Sequence, residues 1–279
     1  MKLITLKFLS PFKIGEKENY VDSITLYRAF IKALTLLGYS FEEIRKGDVK
    51  FSSTFPVVSN RPYLKIPFRR VECNERTMDK ELRKIEYIDV DILRSVEPPY
   101  LLQCQGERRY LVGNGVERLE LENKYLTSHG GIIVEYKNRI DRLVNSADIY
   151  TSPSFMPKHD LGFFVTMWDN ELDKALRLLE KLGIGKDRNL GYGKFIVKEI
   201  KDYDLNLGNR RYRYLTGRAY PEGEFMTDRF DRVQMMGGDI SPVLLPLLVL
   251  LPTGSLVKNV KRLYLEKGEN VVVVDPMVL

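Results

Sequence analysis

A glycine-rich stretch at residues 183–193, with Lys194 directly after it, carries the residue types in this sequence best suited to ligand chemistry. It combines glycines with cationic and amide side chains: Gly183, Gly185, Lys186, Arg188, Asn189, Gly191, Gly193 and Lys194. Glycine permits positive φ angles and lets a backbone approach a ligand closely. Lysine and arginine pair with phosphate oxygens. Together these residue types favour contact with a phosphate-bearing ligand.

The spacing does not match the phosphate-binding loops of nucleotide enzymes. A Walker loop needs Ser or Thr after its Gly-Lys pair, whereas Phe195 follows Lys194. A dinucleotide-binding G-x-G-x-x-G needs a third glycine where Arg188 or Ile196 stands. Those loops also lead into a helix N-terminus, whereas this stretch leaves a helix C-terminus, where the dipole is negative. The pattern therefore predicts extended contact with a nucleic-acid backbone, through cations and outward-pointing N–H groups. A purely structural bend between a helix and a strand is the alternative.

The other candidate groups fit metal or catalytic sites poorly. The two histidines, His129 and His159, have no neighbours at metal-ligand spacing, and we expect a surface or hydrogen-bonding role for each. Asp89 and Asp91 are expected on one face of a strand, exposed to solvent, and two carboxylates alone hold a divalent cation poorly. We therefore expect no catalytic residue, no metal and no cofactor.

The net charge of the chain is small, so the positions of the cations in the sequence are more informative than their number. The chain has 279 residues, with 44 Lys and Arg against 38 Asp and Glu, and a formal net charge of +6. Basic residues cluster at 61–84, 181–198 and 210–218, interleaved with aromatic residues. Such clusters are typical of proteins that bind single-stranded nucleic acid, but the solvated faces of a charge-rich protein would look the same.

The cysteines and the apolar runs predict the compartment. Cys73 and Cys104 cannot form a multi-disulfide framework and do not form a C-x-x-C pair, so we expect a reducing compartment. The most apolar run, residues 243–251, contains Pro246 and is far shorter than the ~20 residues of a spanning helix. We expect a cytoplasmic protein without a membrane partner.

Hydrophobic periodicity predicts the elements that position the glycine-rich stretch. A half-buried strand is predicted at residues 3–8, and a helix follows, capped by Asp22 or Ser23 and stopped by Gly38.

The same two elements are predicted again near the end of the first two hundred residues. Residues 162–168 predict a strand, and Asn170 is expected to cap the helix that follows. Gly183 ends that helix, and residues 192–200 predict the strand after the glycine-rich stretch.

The middle of the chain, from Phe51 to about His159, shows short β-rich pieces without a helical period. Strands are predicted at residues 101–104, 110–112 and 131–136, and a loop at 145–158.

This order predicts an α+β protein. Residues 1–202 are expected to form a ferredoxin-like (RRM-like) βαββαβ domain, with a thumb-like β-rich insertion at about 56–160. Residues 203–279 are expected to form a smaller second α+β domain, of degenerate ferredoxin-like type.

The sequence resembles the RAMP superfamily of CRISPR-associated proteins. The glycine-rich stretch, placed between the last helix and strand of a ferredoxin-like fold, is similar to the signature of that family. Other segments resemble, within it, the fourth-subunit family of the type III-A Csm effector complex: residues 9–16 (LSPFKIGE), 22–26 (DSITL), 51–56 (FSSTFP), 63–67 (YLKIP) and 80–88 (KELRKIEYI).

The resemblance implies a non-catalytic RNA-binding subunit in antiviral defence. Such a subunit holds the 5′ handle of the CRISPR RNA and caps the backbone of the complex. Its implied partners are the large polymerase-like subunit, the neighbouring backbone RAMP subunit and, through the guide duplex, target RNA. A β-hairpin thumb intercalates at that duplex, and the basic stretch 61–84 lies where the thumb is expected to emerge.

On this hypothesis the cations of the glycine-rich stretch contact the handle phosphates. Phe12 and Lys13 on the adjacent loop, and Arg69 and Arg70 on the insertion, complete the expected RNA-binding set. One alternative is a metal-independent RAMP endonuclease that processes repeat RNA, with His129 or His159 as its acid–base group. Another is a structural adaptor without RNA affinity.

Overall fold

The computed structural model describes the chain except for residues 16–18, 115–117, 142–145, 206, 209, 234–235, 238–242, 245 and 268–269. The helices are α1 Ser23–Leu36, α2 Glu42–Lys46, α3 Arg76–Arg83, α4 Val90–Ser95 and α5 Asn170–Leu182. The strands are β1 Lys2–Phe8, β2 Phe55–Val58, β3 Arg61–Lys65, β4 Arg69–Glu72, β5 Tyr87–Asp89, β6 Tyr100–Gln105, β7 Arg108–Val112, β8 Arg118–Glu120, β9 Tyr125–Leu126, β10 Gly130–Asp141, β11 Ser146–Pro157, β12 Asp160–Val165, β13 Phe195–Asp202, β14 Arg213–Tyr214, β15 Tyr220–Met226, β16 Asp231–Val233, β17 Met236–Gly237, β18 Val243–Leu244, β19 Leu248–Leu250, β20 Leu256–Lys261, β21 Leu263–Lys267 and β22 Asn270–Val274. None of the described helices is long and apolar enough to cross a membrane.

A seven-stranded sheet, in the order β13-β1-β12-β2-β3-β5-β9, organises the first two hundred residues. β1 pairs antiparallel with both β12 and β13, and β12 pairs with β2. α1 follows β1 and α5 precedes β13, and the two helices contact each other. The predicted succession of a strand, a helix, an irregular β-rich region, a strand, a helix and a strand is seen in β1, α1, the segments between α1 and β12, β12, α5 and β13. The protein is mixed α+β, with more strands than helices.

Both faces of the central strands are buried. Ile4 and Phe163 belong to the cluster that α1 and α5 cover, whereas Leu3 and Phe164 belong to the cluster on the opposite face. Because side chains alternate along a strand, each central strand contributes to both clusters. The aromatic residues of β12 are therefore buried in the core. Neither face of this strand is open to a ligand.

Aspartate side chains cap the N-termini of both long helices. Asp22 accepts a hydrogen bond from the Thr25 N–H at 2.8 Å and caps α1, as predicted. The cap of α5 is Asp169, which accepts from the Leu172 N–H at 2.7 Å. The prediction of Asn170 as the cap is wrong by one position, because Asn170 is already the first helical residue.

The predicted loop at residues 145–158 is also wrong. Residues 146–157 form β11, which pairs along its length with β10 in a two-stranded antiparallel hairpin. Proline and serine made this segment look irregular, but Pro153 and Pro157 lie on the same edge of β11 as Phe155, whose N–H bonds Phe12 and not β10, so neither proline removes a hydrogen bond of the hairpin. The three predicted strands of this region are confirmed, and the two short helices α3 and α4 were missed.

Asp89 and Asp91 do not share a strand face. The chain turns from β5 into α4 between them, so that Asp89 is fully buried and accepts from the Asp91 N–H at 2.9 Å. Nη1 of Arg61 lies 3.8 Å from the Asp89 carboxylate. The expectation of two solvent-facing carboxylates is therefore wrong for Asp89, which serves as a helix cap.

A disulfide joins Cys73, just after β4, to Cys104 in β6, with Cα atoms 5.2 Å apart. The two strands are parallel neighbours, which brings the cysteines together. This pairing was not predicted, because the cysteines are 31 residues apart in the chain and only the pairing of β4 with β6 brings them together.

The described residues after 203 are strands and loops without a helix. The α+β character predicted for this region is therefore not seen in the part of it that the structure describes. Its side chains complete the cores of the first two hundred residues: Val273 packs in the cluster beneath α1, and Tyr214 and Met277 pack with Leu3. The boundary at residue 202 stays a prediction.

Candidate nucleic-acid interface

Two glycines of residues 183–194, hereafter the glycine loop, are required by contacts inside the fold. Gly193 has φ +67°, and a Cβ there would lie 1.9 Å from the Ile184 carbonyl oxygen. Gly185 has φ +102°, and its Cβ would lie 2.7 Å from the Lys13 carbonyl oxygen. Only glycine allows these backbones to approach so closely. A structural bend between a helix and a strand, the alternative to a ligand site, therefore explains why glycine stands at these two positions.

Most N–H groups of the glycine loop bond within the protein. The Lys186 N–H donates to the Lys13 carbonyl at 2.8 Å, and the Gly193 N–H donates to the Pro11 carbonyl at 2.8 Å. Further N–H groups of the loop with internal acceptors are those of Gly183, Ile184, Leu190, Gly191, Tyr192 and Lys194. The expectation that these N–H groups point outward is wrong. The loop instead has a rigid frame that presents its side chains.

The cationic side chains of the glycine loop differ in their exposure and in their partners. Lys186 and Asn189 are exposed and Arg188 is half-buried. Neither Lys186 nor Arg188 has an ion-pair partner among the described residues. The ammonium of Lys194 donates to the Lys181 carbonyl at the end of α5, where the helix dipole favours a cation. The loop thus presents two unpaired cations on a fixed backbone.

Lys13 is buried, with 5 % of its side chain exposed, and joins three segments of the chain. Its ammonium lies 3.2 Å from Asp187 in the glycine loop and 3.7 Å from Glu135 on β10. It also donates to the Ser152 hydroxyl at 2.9 Å and lies 3.8 Å from the centre of the Tyr192 ring. The hydrogen bond from Lys13 is the main cause that holds the pKa of Asp187 below its usual value.

Phe12 is fully buried and attaches the hairpin to the loop before α1. Its ring packs 5.0 Å from that of Phe8 and 5.6 Å from that of Phe155. Phe12 and Phe155 also exchange two backbone hydrogen bonds of 2.9 Å. Phe12 and Lys13 therefore lie inside the protein, where they position the glycine loop; the direct RNA contact expected of them does not fit this burial.

The β10–β11 hairpin has two unlike faces. On one, Glu135 and Ser152 contact Lys13, and Glu135 accepts a hydrogen bond from the Tyr192 hydroxyl. The other face carries the buried Phe155 and four exposed apolar residues: Ile132, Val134, Tyr136 and Ile149. Sequence reasoning missed this apolar face, although the β-branched runs at 132–134 and 149–151 were the available signal.

Arg69 and Arg70 lie on β4, and the structure does not bring them to the glycine loop. Arg70 is exposed, whereas Arg69 is half-buried and donates from Nη2 to the Ile85 carbonyl at 3.0 Å. Burial lowers the pKa of Arg69. Arg69 lines a separate cleft of about 730 Å³ to which the glycine loop contributes no residue. Hereafter this is the basic cleft, after its cations Lys65, Arg69, Arg83, Arg218 and Arg229.

His129 has the hydrogen-bonding role expected of it, but in the interior. Only 1 % of the residue is exposed, and its Nε2 lies 2.6 Å from the Asn19 carbonyl oxygen, between the rings of Tyr87 and Phe155. Burial lowers the pKa of His129 to about 4, so the ring is neutral at pH 7. His159 is less buried, and burial lowers its pKa as well. Among the described residues, no group of three or more His, Cys, Asp or Glu side chains is placed to hold a metal ion.

Comparisons with known proteins agree with this fold. The chain of a crystal structure of a Csm3–Csm4 subcomplex in the type III-A CRISPR-Cas interference complex matches with a TM-score of 0.59 and 16 % identity, over 100 % of this chain and 98 % of that one. A Csm1–Csm4 cassette in complex with cA4 matches with a TM-score of 0.59 and 16 % identity, over 99 % and 97 % of the two chains. A type III-B Cmr-beta complex bound to cognate target RNA and AMPPnP matches with a TM-score of 0.53 and 11 % identity, over 92 % and 86 %.

The structural matches show that the fold is that of Csm4 in the type III-A complexes. No curated protein sequence matches the chain. The family model described as the RAMP superfamily matches residues 12–196, a range that begins at Phe12 and includes both β10–β11 and the glycine loop. The chain therefore belongs to the RAMP superfamily.

Proposed function

We propose that this protein is a non-catalytic RNA-binding subunit of a type III CRISPR effector complex, which holds the 5′ handle of the CRISPR RNA. The observation that carries the proposal is the exposed Lys186 and the half-buried Arg188, neither with an ion-pair partner among the described residues, on a loop held rigid by its own backbone. A rigid cationic loop loses little conformational entropy on binding a phosphate backbone. The family match over this loop supports the same function.

The proposed protein partners are a large polymerase-like subunit and a backbone RAMP subunit. Csm1 and Csm3 are the proteins named with Csm4 in the matching complexes, which supports such partners here. The same proposal includes a ferredoxin-like core, which carries the glycine loop. It also includes a cytoplasmic location for the protein.

The β10–β11 hairpin is proposed to act as the thumb that meets the guide–target duplex. Residues 61–84, where the sequence analysis expected the thumb to emerge, form β3, β4 and α3. The hairpin presents exposed β-branched and aromatic side chains on one face, as a surface that contacts stacked bases requires.

Binding of handle RNA at several salt concentrations tests the proposal. For single strands, the slope of log affinity against log salt is about −0.7 per phosphate contact. The triple variant K186A/R188A/K194A should weaken binding and make this slope shallower by about 2. The control K46A/K174A/R177A removes the same charges from exposed positions on α2 and α5 and should bind as the unmodified protein does. Binding that does not depend on salt, or equal affinity of the two triple variants, would contradict the role of the loop.

The alternative endonuclease is tested by incubating labelled repeat RNA with the protein in EDTA. His159 is the histidine with more solvent access, whereas His129 is buried and neutral. We expect intact RNA. Discrete cleavage that is lost in His159→Ala would replace the proposed function with the enzymatic one.

A further inference from the structure

The basic cleft is built by segments far apart in the sequence. One side comes from β3, β4 and the loop between them, and the opposite side from residues 227–229 and 252–255. The base of the β10–β11 hairpin, with Gly130 and Ile132, closes a third side. The Phe68 N–H donates to the Gly254 carbonyl at 3.0 Å, which joins the first two sides. The cleft is therefore part of the folded core and not a gap between loose loops.

Two cations of the basic cleft, Lys65 and Arg69, form no ion pair among the described residues, although the charges of more distant acids act on both. The Lys65 ammonium has a ring contact, 5.4 Å from the centre of Tyr20, and no ion pair. Burial, followed by the charge of Arg229, lowers the pKa of Lys65. Nε of Arg69 is buried and has no hydrogen-bond partner. A buried, unsatisfied cationic donor is costly unless an anion compensates it.

Other charges at the basic cleft are balanced within the fold. Arg218 is buried between Asp22, at 3.2 Å, and Asp231, at 2.9 Å. Arg229 is 67 % exposed and lies 3.5 Å from Asp231. Glu86 and Asp228 are the acids in the lining, and Glu86 accepts from the amide of Asn19 at 3.3 Å. Positive charge without a direct ion pair is thus concentrated at Lys65 and Arg69, on which Glu86, Asp228 and Asp231 act only from a distance, with Arg229 at the rim.

An apolar surface lies beside these cations. Phe68 is half-buried and Ile132 is 64 % exposed, and both line the basic cleft. Thr227 and Ser255 add hydroxyl groups to the lining; they lie 3.1 Å apart and donate within the protein to the carbonyls of Arg229 and Pro252, so that their oxygens are available as acceptors. Cations, an apolar face and hydroxyls within one cavity are the groups that recognise a phosphate, a base and a ribose.

We propose that the basic cleft receives one nucleotide turned out of a single-stranded RNA, with its phosphate against Lys65, Arg69 and Arg229 and its base against Phe68 and Ile132. This inference rests on the proposed RNA-binding function and adds a site separate from the glycine loop. The cleft volume of about 730 Å³ leaves room for a nucleotide and bridging water. A free mononucleotide has the same chemistry, but the extension of the cleft to the base of the hairpin favours a strand that continues beyond it.

Binding of fluorescently labelled oligouridine to the full chain tests this site. The double variant K65Q/R229Q should bind about tenfold more weakly, as expected for the loss of charge-assisted contacts. The control K174Q/R177Q removes one Lys and one Arg from exposed positions on α5 and should bind normally. Circular dichroism and thermal unfolding of each variant establish that it is folded, and R229Q alone, at an exposed position, should still weaken binding if K65Q/R229Q is unstable.

An abasic oligonucleotide and ATP provide the second measurement. One residue of the oligomer is made abasic at a time, along the whole strand. At one position this change should weaken binding to the unmodified protein about tenfold. The same abasic oligomer should bind K65Q/R229Q as well as the intact oligomer binds that variant. ATP should compete only weakly. Equal affinity of K65Q/R229Q and its control would overturn the cleft site while leaving the glycine-loop function in place if K186A/R188A/K194A still binds weakly. Tight ATP binding that requires Lys65 and Arg229 would instead identify a mononucleotide site and also overturn the inference.

Discussion

Gly193 and Gly191 differ in their surroundings although both have positive φ angles. A Cβ at Gly193 would overlap the Ile184 carbonyl oxygen, whereas a Cβ at Gly191 would meet nothing within 4 Å. Replacing each glycine by alanine therefore distinguishes the free-energy cost of the backbone conformation from the cost of close packing.

We expect Gly193→Ala to lower the free energy of unfolding by about 3 kcal/mol or more, because the backbone of the glycine loop must move. Gly191→Ala, the matched control, should cost about 1 kcal/mol, the price of the left-handed conformation alone. Chemical denaturation measures both values. Equal costs would show that Gly193 is not confined as the structure indicates.

His129 makes the stability of the protein depend on pH. Its ordinary pKa of 6.5 is lowered by burial to about 4 in the folded chain. The unfolded chain therefore binds a proton at a higher pH than the folded chain, and the fold loses stability as the pH falls from about 6.5 to 4.

We expect this loss to reach about 3 kcal/mol at pH 4. His129→Asn should be less stable at pH 7 but should show a flatter dependence between pH 6.5 and 4. His159→Asn, at the more exposed histidine, should keep most of the dependence. Denaturation at several pH values measures the slopes; a slope that is unchanged in His129→Asn would contradict the assignment.

At the scale of elements, the β10–β11 hairpin is the part of the insertion that packs against the glycine loop. One face packs on the loop through Lys13, whereas the other exposes Tyr136 at 77 % and Ile149 at 70 %. An exposed apolar face contributes little to the stability of the monomer. Its residues are therefore free to serve a binding function.

We expect Tyr136→Ser/Ile149→Ser to change the free energy of unfolding by no more than about 0.5 kcal/mol. The same variant should weaken binding to a guide–target duplex, and Tyr39→Ser, which alters a half-buried tyrosine packed beside α1, serves as the control for binding. Normal duplex binding by the double variant would remove the hairpin from the interface.

At the scale of the whole molecule, the chain after residue 202 completes the fold of the residues before it. Ile24 of α1 packs with Leu250 and Val274, and the Tyr27 hydroxyl donates to the Asp275 carbonyl at 2.6 Å. These contacts join the first long helix to the last strand.

We expect a chain cut after residue 202 to lose cooperative unfolding, because it exposes apolar surface of α1 and of the sheet. Calorimetry and binding of a hydrophobic dye measure this directly. A cooperative transition in the shortened chain, close to that of the full chain, would instead support the predicted domain boundary at residue 202.

The amino-acid sequence by itself determined most of the elements around the glycine loop, whereas the ligand class that it indicates, RNA, stays a prediction. Caps such as Asp22, the helical spacing of apolar residues and the glycines before β13 act over a few residues, so their effects could be predicted. The family resemblance pointed to the same glycine loop, and the family match includes it.

Tertiary structure alone decided which charged groups are exposed and which elements meet. Lys13 looks like a surface cation in the sequence, yet Asp187 and Glu135 surround it once the hairpin packs on the glycine loop. The basic cleft likewise joins Lys65 to Arg229, which are far apart in the chain. Burial and pairing arise from long-range packing, which local propensity does not encode, and for that reason the structure was needed to find them.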